Sequence, residues 1–93
     1  MEENYTITTE GVLEDSFPQN GENYGLHELQ SIVGGYIEIV YLSDTMIMVI
    51  NEEGKFTCEP NPAATMLARL CRSIPPNDYI AGDVLVCRSE LVK

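Results

Sequence analysis

Tyr36-Ile37-Glu38-Ile39-Val40-Tyr41-Leu42-Ser43-Asp44-Thr45-Met46-Ile47-Met48-Val49-Ile50 is the stretch on which the fold turns. Its first half alternates, with Ile37, Ile39 and Tyr41 on one side and Tyr36, Glu38 and Val40 on the other. That is the period of a strand with one face tolerant of polar groups. Ser43-Asp44 makes a short turn. Thr45 to Ile50 is then almost wholly apolar, as a central strand covered on both faces requires. Just upstream, Leu26, Leu29, Ile32 and Val33 recur at helical spacing. Gly34-Gly35 follow, where a helix end favours a left-handed residue without a Cβ. Downstream, Asn51-Glu52-Glu53-Gly54 reads as a turn and Lys55-Phe56-Thr57-Cys58 as the return strand of a hairpin.

Further out, Asn61-Pro62 is a helix start, because asparagine caps exposed N–H groups and proline at the first position lacks one. Ala63, Met66, Leu67, Leu70 and Cys71 give that helix a core-facing stripe, and Pro75-Pro76 stops it. Residues 4–9 and 81–88 read as the first and last strands. Gly11 to Gly25, with Pro18, Asn20, Gly21 and Asn23, reads as a long loop, and long loops in compact domains are often functional. The predicted order is β-α-β-β-β-α-β. It implies an α+β fold, a small and mainly antiparallel sheet with two helices packed on one face. Residues 1–93 form a single domain, with the long loop at 11–25.

Charge divides the chain. Residues 1–54 carry eleven carboxylates and no lysine or arginine, whereas residues 55–93 carry five basic side chains and four acids, for a net charge of −10 overall. Such a field governs partners and solubility rather than fold. It disfavours nucleic acid as a direct ligand and favours a basic protein surface. The longest apolar run, Met46 to Ile50, is too short to span a bilayer. The acidic start Met1-Glu2-Glu3-Asn4 is unlike a secretory signal, and Cys58, Cys71 and Cys87 are an odd number in apolar contexts. Together these predict a soluble cytoplasmic protein without disulfides.

No catalytic or metal motif accompanies the charge. A zinc site from the three cysteines and His27 lacks the close ligand pairs that structural zinc uses, and thiols in such contexts act as small buried hydrophobes. Calcium and magnesium spacings are absent. Gly34-Gly35 follows a helix, whereas phosphates are cradled where a helix begins. His27 reads as an exposed or locally bonded side chain rather than a general base. No cofactor, catalytic residue or metal ligand is therefore assigned. Tyr24, Tyr36 or Tyr41, Tyr79 and Met48 are candidates for an interaction surface, since tyrosine and methionine are enriched in interface cores.

The run Leu26-His27-Glu28-Leu29-Gln30-Ser31-Ile32-Val33-Gly34-Gly35-Tyr36-Ile37-Glu38, then Asn51-Glu52-Glu53-Gly54-Lys55, Asn61 with Ala64-Thr65, and Asp78 to Gly82, carries a resemblance. It is similar to a family of small uncharacterised proteins, domain of unknown function 3846, over roughly residues 26–88. The resemblance implies no activity. It implies provenance in phages and bacterial mobile elements, whose small acidic proteins are often non-enzymatic inhibitors of host defence.

Joined to the charge, this predicts a host protein with a basic surface as partner, for example a defence nuclease, in the bacterial cytoplasm. Tyr36, Glu38, Asp44, Glu52 and Glu53, with Glu14 and Asp15 of the loop, are the predicted contact residues. A binder of this kind requires the anions to gather on one surface. The competing expectation is a binder of a small nucleotide-like anion at the Asn61 helix start, with Arg69 and Arg72. Edge strands of so small a sheet leave homodimerisation open.

Overall fold

The computed structural model describes residues 4–92, so Glu2, Glu3 and Lys93 lie outside the described residues. Strands β1 (Tyr5–Ile7), β2 (Leu13–Asp15), β3 (Ile37–Tyr41), β4 (Met46–Asn51) and β5 (Val84–Arg88) form one antiparallel sheet in the order β2-β1-β5-β4-β3. The hairpin β3–β4 pairs Glu38 with Ile50 and Val40 with Met48, as the alternation of the opening stretch requires. The last strand in the chain lies at the centre, and β2 and β3 are the edges.

The predicted placement of both helices on one face is corrected. Helix α1 (Leu26–Val33) packs Leu29 and Val33 against Ile47, Val49, Leu85 and Cys87. The helix at Pro62–Leu70, α3, packs Ala64 and Ala68 against Met48, Val84 and Val86, so the two helices cover opposite faces. Both central strands explain this, because β4 and β5 are apolar on alternate and intervening positions alike. A fully buried Val, Leu or Met is worth about 1.5–3 kcal/mol, so a bare face on two such strands would forfeit several of them.

The predicted return strand at 55–58 is also corrected. Residues Gly54–Thr57 form a one-turn helix, α2. Both sides of β4 are already paired, with β3 and β5, which leaves no edge for a further strand. Gly54 also presses on the chain: a Cβ there would lie 2.6 Å from the Ala81 carbonyl oxygen. Phe56, within the predicted strand, is 88% exposed.

Helix α3 is rotated from its predicted stripe. Ala64, Thr65 and Ala68 are buried, whereas Met66 and Leu70 are 65% and 76% exposed and Cys71 is exposed. Polar locks set this rotation. The Thr65 hydroxyl donates to the Asn61 carbonyl (2.8 Å) and accepts from the Ile80 N–H (2.9 Å). Small residues then let the helix lie close on the sheet.

The predicted loop contains strand β2 and an anchor. Gly11, at φ 85°, turns the chain between β1 and β2. Tyr24 is buried, and its hydroxyl lies 2.8 Å from Ser16 Oγ. Tyr24 and Met48 are thus core residues rather than interaction-surface ones, and both Tyr36 and Tyr41 are exposed. No helix among the described residues is long and apolar enough to cross a membrane.

Candidate interaction surface at the end of the first helix

Helix α1 stops as its sequence predicts. Gly34 sits at φ 83°, and the N–H groups of Gly34 and Gly35 donate to the Gln30 carbonyl at 2.8 and 3.1 Å. Asn51, at the end of β4, clamps this end to the sheet. Its Nδ2 donates to the Val33 carbonyl (3.2 Å), and its Oδ1 accepts the Glu53 N–H (2.8 Å). A Cβ at Gly35 would lie 2.9 Å from Asn51 Nδ2, so glycine permits the approach.

Two clefts flank this helix end. One, of about 510 Å³, is lined by His27, Gln30, Ser31, Tyr36, Glu53 and Thr57, with Gly34, Gly35 and Asn51. The other, of about 360 Å³, lies between Thr9, Ser31, Gly34, Cys58, Glu59 and Asp83, among others. Among the described residues, Glu53, Glu59 and Asp83 are the only charged ones in their walls, with no lysine or arginine. Asp83 is held by the Thr9 N–H, 3.1 Å from its Oδ1. The C-terminal end of a helix carries partial negative charge, so helix and carboxylates act in the same sense. The Tyr36 ring, 69% exposed, stands on the rim. This arrangement suits a cationic group carried on an apolar stem.

The predicted contact residues do not form one surface. Tyr36 and Glu53 line the larger cleft on the α1 side. Glu38 and Glu52 lie on the α3 side, in a small cavity shared with Lys55 and Asp78. Lys55 Nζ bonds Asp78 Oδ1 and stands 5.2 Å from the Tyr79 ring centroid. That bond raises the Lys55 pKa and, with the Tyr79 N–H, holds the Asp78 carboxyl below its usual range. Asp44 is in the β3–β4 turn, and Glu14 and Asp15 lie on β2 at the opposite edge of the sheet. Sequence reasoning missed Glu59 and Asp83, because they belong to the half of the chain whose bases outnumber its acids. The turn at Gly82 (φ 86°), just before Asp83, was the available signal.

Of the competing small-anion site, Arg69 and Arg72 share a groove wall, but Asn61 is kept apart from them. Asn61 is fully buried; its Nδ2 donates to the Ile7 and Gly82 carbonyls at 3.0 and 2.8 Å, and its Oδ1 caps the Ala64 N–H at 3.0 Å. It has no donor left for a ligand. Arg69 donates through Nε and Nη2 to the Asp78 carbonyl, and Arg72 is an exposed residue at φ 56°. The cysteines differ in setting: Cys87 is buried and its thiol is pushed up to about 11, Cys58 is half-buried and Cys71 is exposed.

The family model described as "Domain of unknown function (DUF3846)" matches residues 8–91, nearly the full chain. No curated protein matches, and no solved structure does.

Proposed function

We propose that this chain, which belongs to the family described as domain of unknown function 3846, is a non-enzymatic protein of phage or mobile-element type that binds and restrains a basic host protein. A defence nuclease or another nucleic-acid-binding factor of the bacterial cytoplasm has the required surface. The observation that carries this proposal is the pair of clefts at the end of α1, walled by Glu53, Glu59 and Asp83 with no lysine or arginine among the described residues of their walls. Lysine or arginine side chains of the partner enter these clefts and meet carboxylates and the Tyr36 ring, whose face attracts cations. The −10 charge speeds encounter, and the buried contacts set residence time.

The test is capture of host proteins from bacterial lysate on the immobilised chain, followed by affinity measurements on whatever is captured. Binding should weaken as salt rises. Glu53→Lys with Glu59→Lys should lower affinity at least about 100-fold, some 2.7 kcal/mol, with the circular dichroism unchanged. Glu14→Lys with Asp15→Lys, on the far edge, should lower it much less. Equal losses in the two pairs would reduce the interaction to diffuse charge, and no loss in the first would discard the clefts.

A further inference from the structure

Helix α3 buries Ala64, Thr65 and Ala68, packs Leu67 partly against the core and leaves Met66 and Leu70 in solvent. Pro62, Met66 and Leu70 recur at four-residue spacing along its outer side, and with Pro60, Tyr79 and Arg69 they line a groove of about 690 Å³. Arg69 also walls an adjoining groove of about 540 Å³ that contains Arg72. In a chain with fifteen acids and five bases, neither groove has a carboxylate in its walls among the described residues; the nearby Asp78 carboxylate, which feels the Arg69 charge, is bonded to Lys55. This face therefore differs from the α1 clefts in both polarity and sign.

We propose that the α3 groove docks an acidic amphipathic helix of another protein, which makes the chain an adaptor with two opposite faces. The fit is geometric. Pro62 to Leu70 spans two turns, about 12 Å at 1.5 Å per residue, so apolar anchors at i, i+4 and i+7 of a docked helix fill the groove. Carboxylates flanking those anchors meet Arg69 and Arg72. Arg69 is already oriented by its two bonds to the Asp78 carbonyl, so little side-chain freedom is lost on pairing. The net charge of −10 opposes an acidic partner at long range. Near physiological salt, where the Debye length is about 8 Å, the distant acids are screened and the contacts in the groove persist.

The probe is a peptide of about fifteen residues, helical in design, with leucine anchors at i, i+4 and i+7 and glutamate at the flanking positions. Its twin carries lysine for every glutamate. Amide shifts of the labelled protein should move at Met66, Leu70 and Tyr79 with the glutamate peptide, with Kd of about 100 µM or tighter. Arg69→Glu and Leu70→Glu, both at exposed positions, should each weaken this at least about 10-fold while the circular dichroism stays unchanged. The lysine twin should leave the α3 groove unshifted. Three results would overturn the proposal: equal binding of both peptides in the groove, glutamate-peptide shifts confined to other elements, or a wild-type dimer in sedimentation that Leu70→Glu dissociates. In the last case a second copy is the occupant.

Discussion

Asn61 shows how one side chain can join elements that are distant in sequence. Its amide donates to carbonyls at the end of β1 and just before β5, its oxygen caps α3, and its own carbonyl accepts from Thr65. Every polar atom of its side chain is engaged, so the residue that seemed to offer a ligand site is structural. Asn61→Ala loses the cap, about 0.5–2 kcal/mol, and strands two buried carbonyls, about 1–3 kcal/mol each if no water reaches them. A loss of about 3 kcal/mol or more in chemical denaturation is expected. Asn61→Asp separates these contributions, because it keeps the acceptor for Ala64 and loses both donors, placing a carboxylate against two carbonyl oxygens. It should be at least as destabilised as the alanine variant. If Asn61→Asp were close to wild type, the cap alone would account for this asparagine.

At the scale of elements, the segments that failed are those whose local pattern was outweighed by contacts across the chain. Helix α1 was legible because its stripe and its glycine stop are local signals, and β3 and β4 were legible because alternation and an apolar run are local too. Lys55-Phe56-Thr57-Cys58 also alternates, but its status as a helix depends on β5, which follows after the turns and helices of residues 52–83, occupying the second side of β4 in preference to the near neighbour. Strand β2 has only three residues, all exposed, and so has no hydrophobic period to read. The rotation of α3 is set by Thr65, a polar residue that a hydrophobicity pattern treats as outward. Of the candidate site, Tyr36 and Glu53 were legible, and Glu59 and Asp83 were not, since only the fold carries them to α1. The tight seat of α2 makes a test: Gly54→Ala places a methyl 2.6 Å from a backbone oxygen that has no rotamer to change. Overpacking of this kind costs about 1–3 kcal/mol. An unchanged unfolding midpoint would mean that α2 shifts freely, and the larger cleft, which it helps to wall, would have no fixed shape.

For the whole molecule, the bases are more localised than the acids. Lys55, Arg69 and Arg72 accompany α2 and α3, where Glu38, Glu52 and Asp78 also lie, while among the described residues the clefts at the end of α1 hold carboxylates without lysine or arginine. Fifteen acids against five bases leave the compact state in net self-repulsion, and the specific ion pairs do little to offset it. Lys55–Asp78 and Arg88–Glu90 are both partly exposed, and such pairs are weak and readily screened. Near neutral pH the protonation of the Lys55–Asp78 pair is also constant. The Asp78 carboxyl is held below its ordinary 3.8, so what it contributes is present above that value and is lost only as pH falls through the lowered pKa. The Lys55 pKa is raised above 10.5, so its contribution is present below that value and is lost only as pH rises through the raised one. At pH 7, then, added salt acts chiefly on the repulsion. Going from about 0.01 M to 0.1 M sodium chloride shortens the Debye length from about 30 to 10 Å, and the melting temperature should rise. In a domain of this size, each kcal/mol relieved adds about 4–8 °C. Glu53→Gln with Glu59→Gln should raise the melting temperature at low salt and shrink the increment that salt produces, because two carboxylates of a chain at −10 are gone. A melting temperature that falls with salt would instead mean that local pairs outweigh the field, and the clefts would then carry too little potential to steer a basic partner.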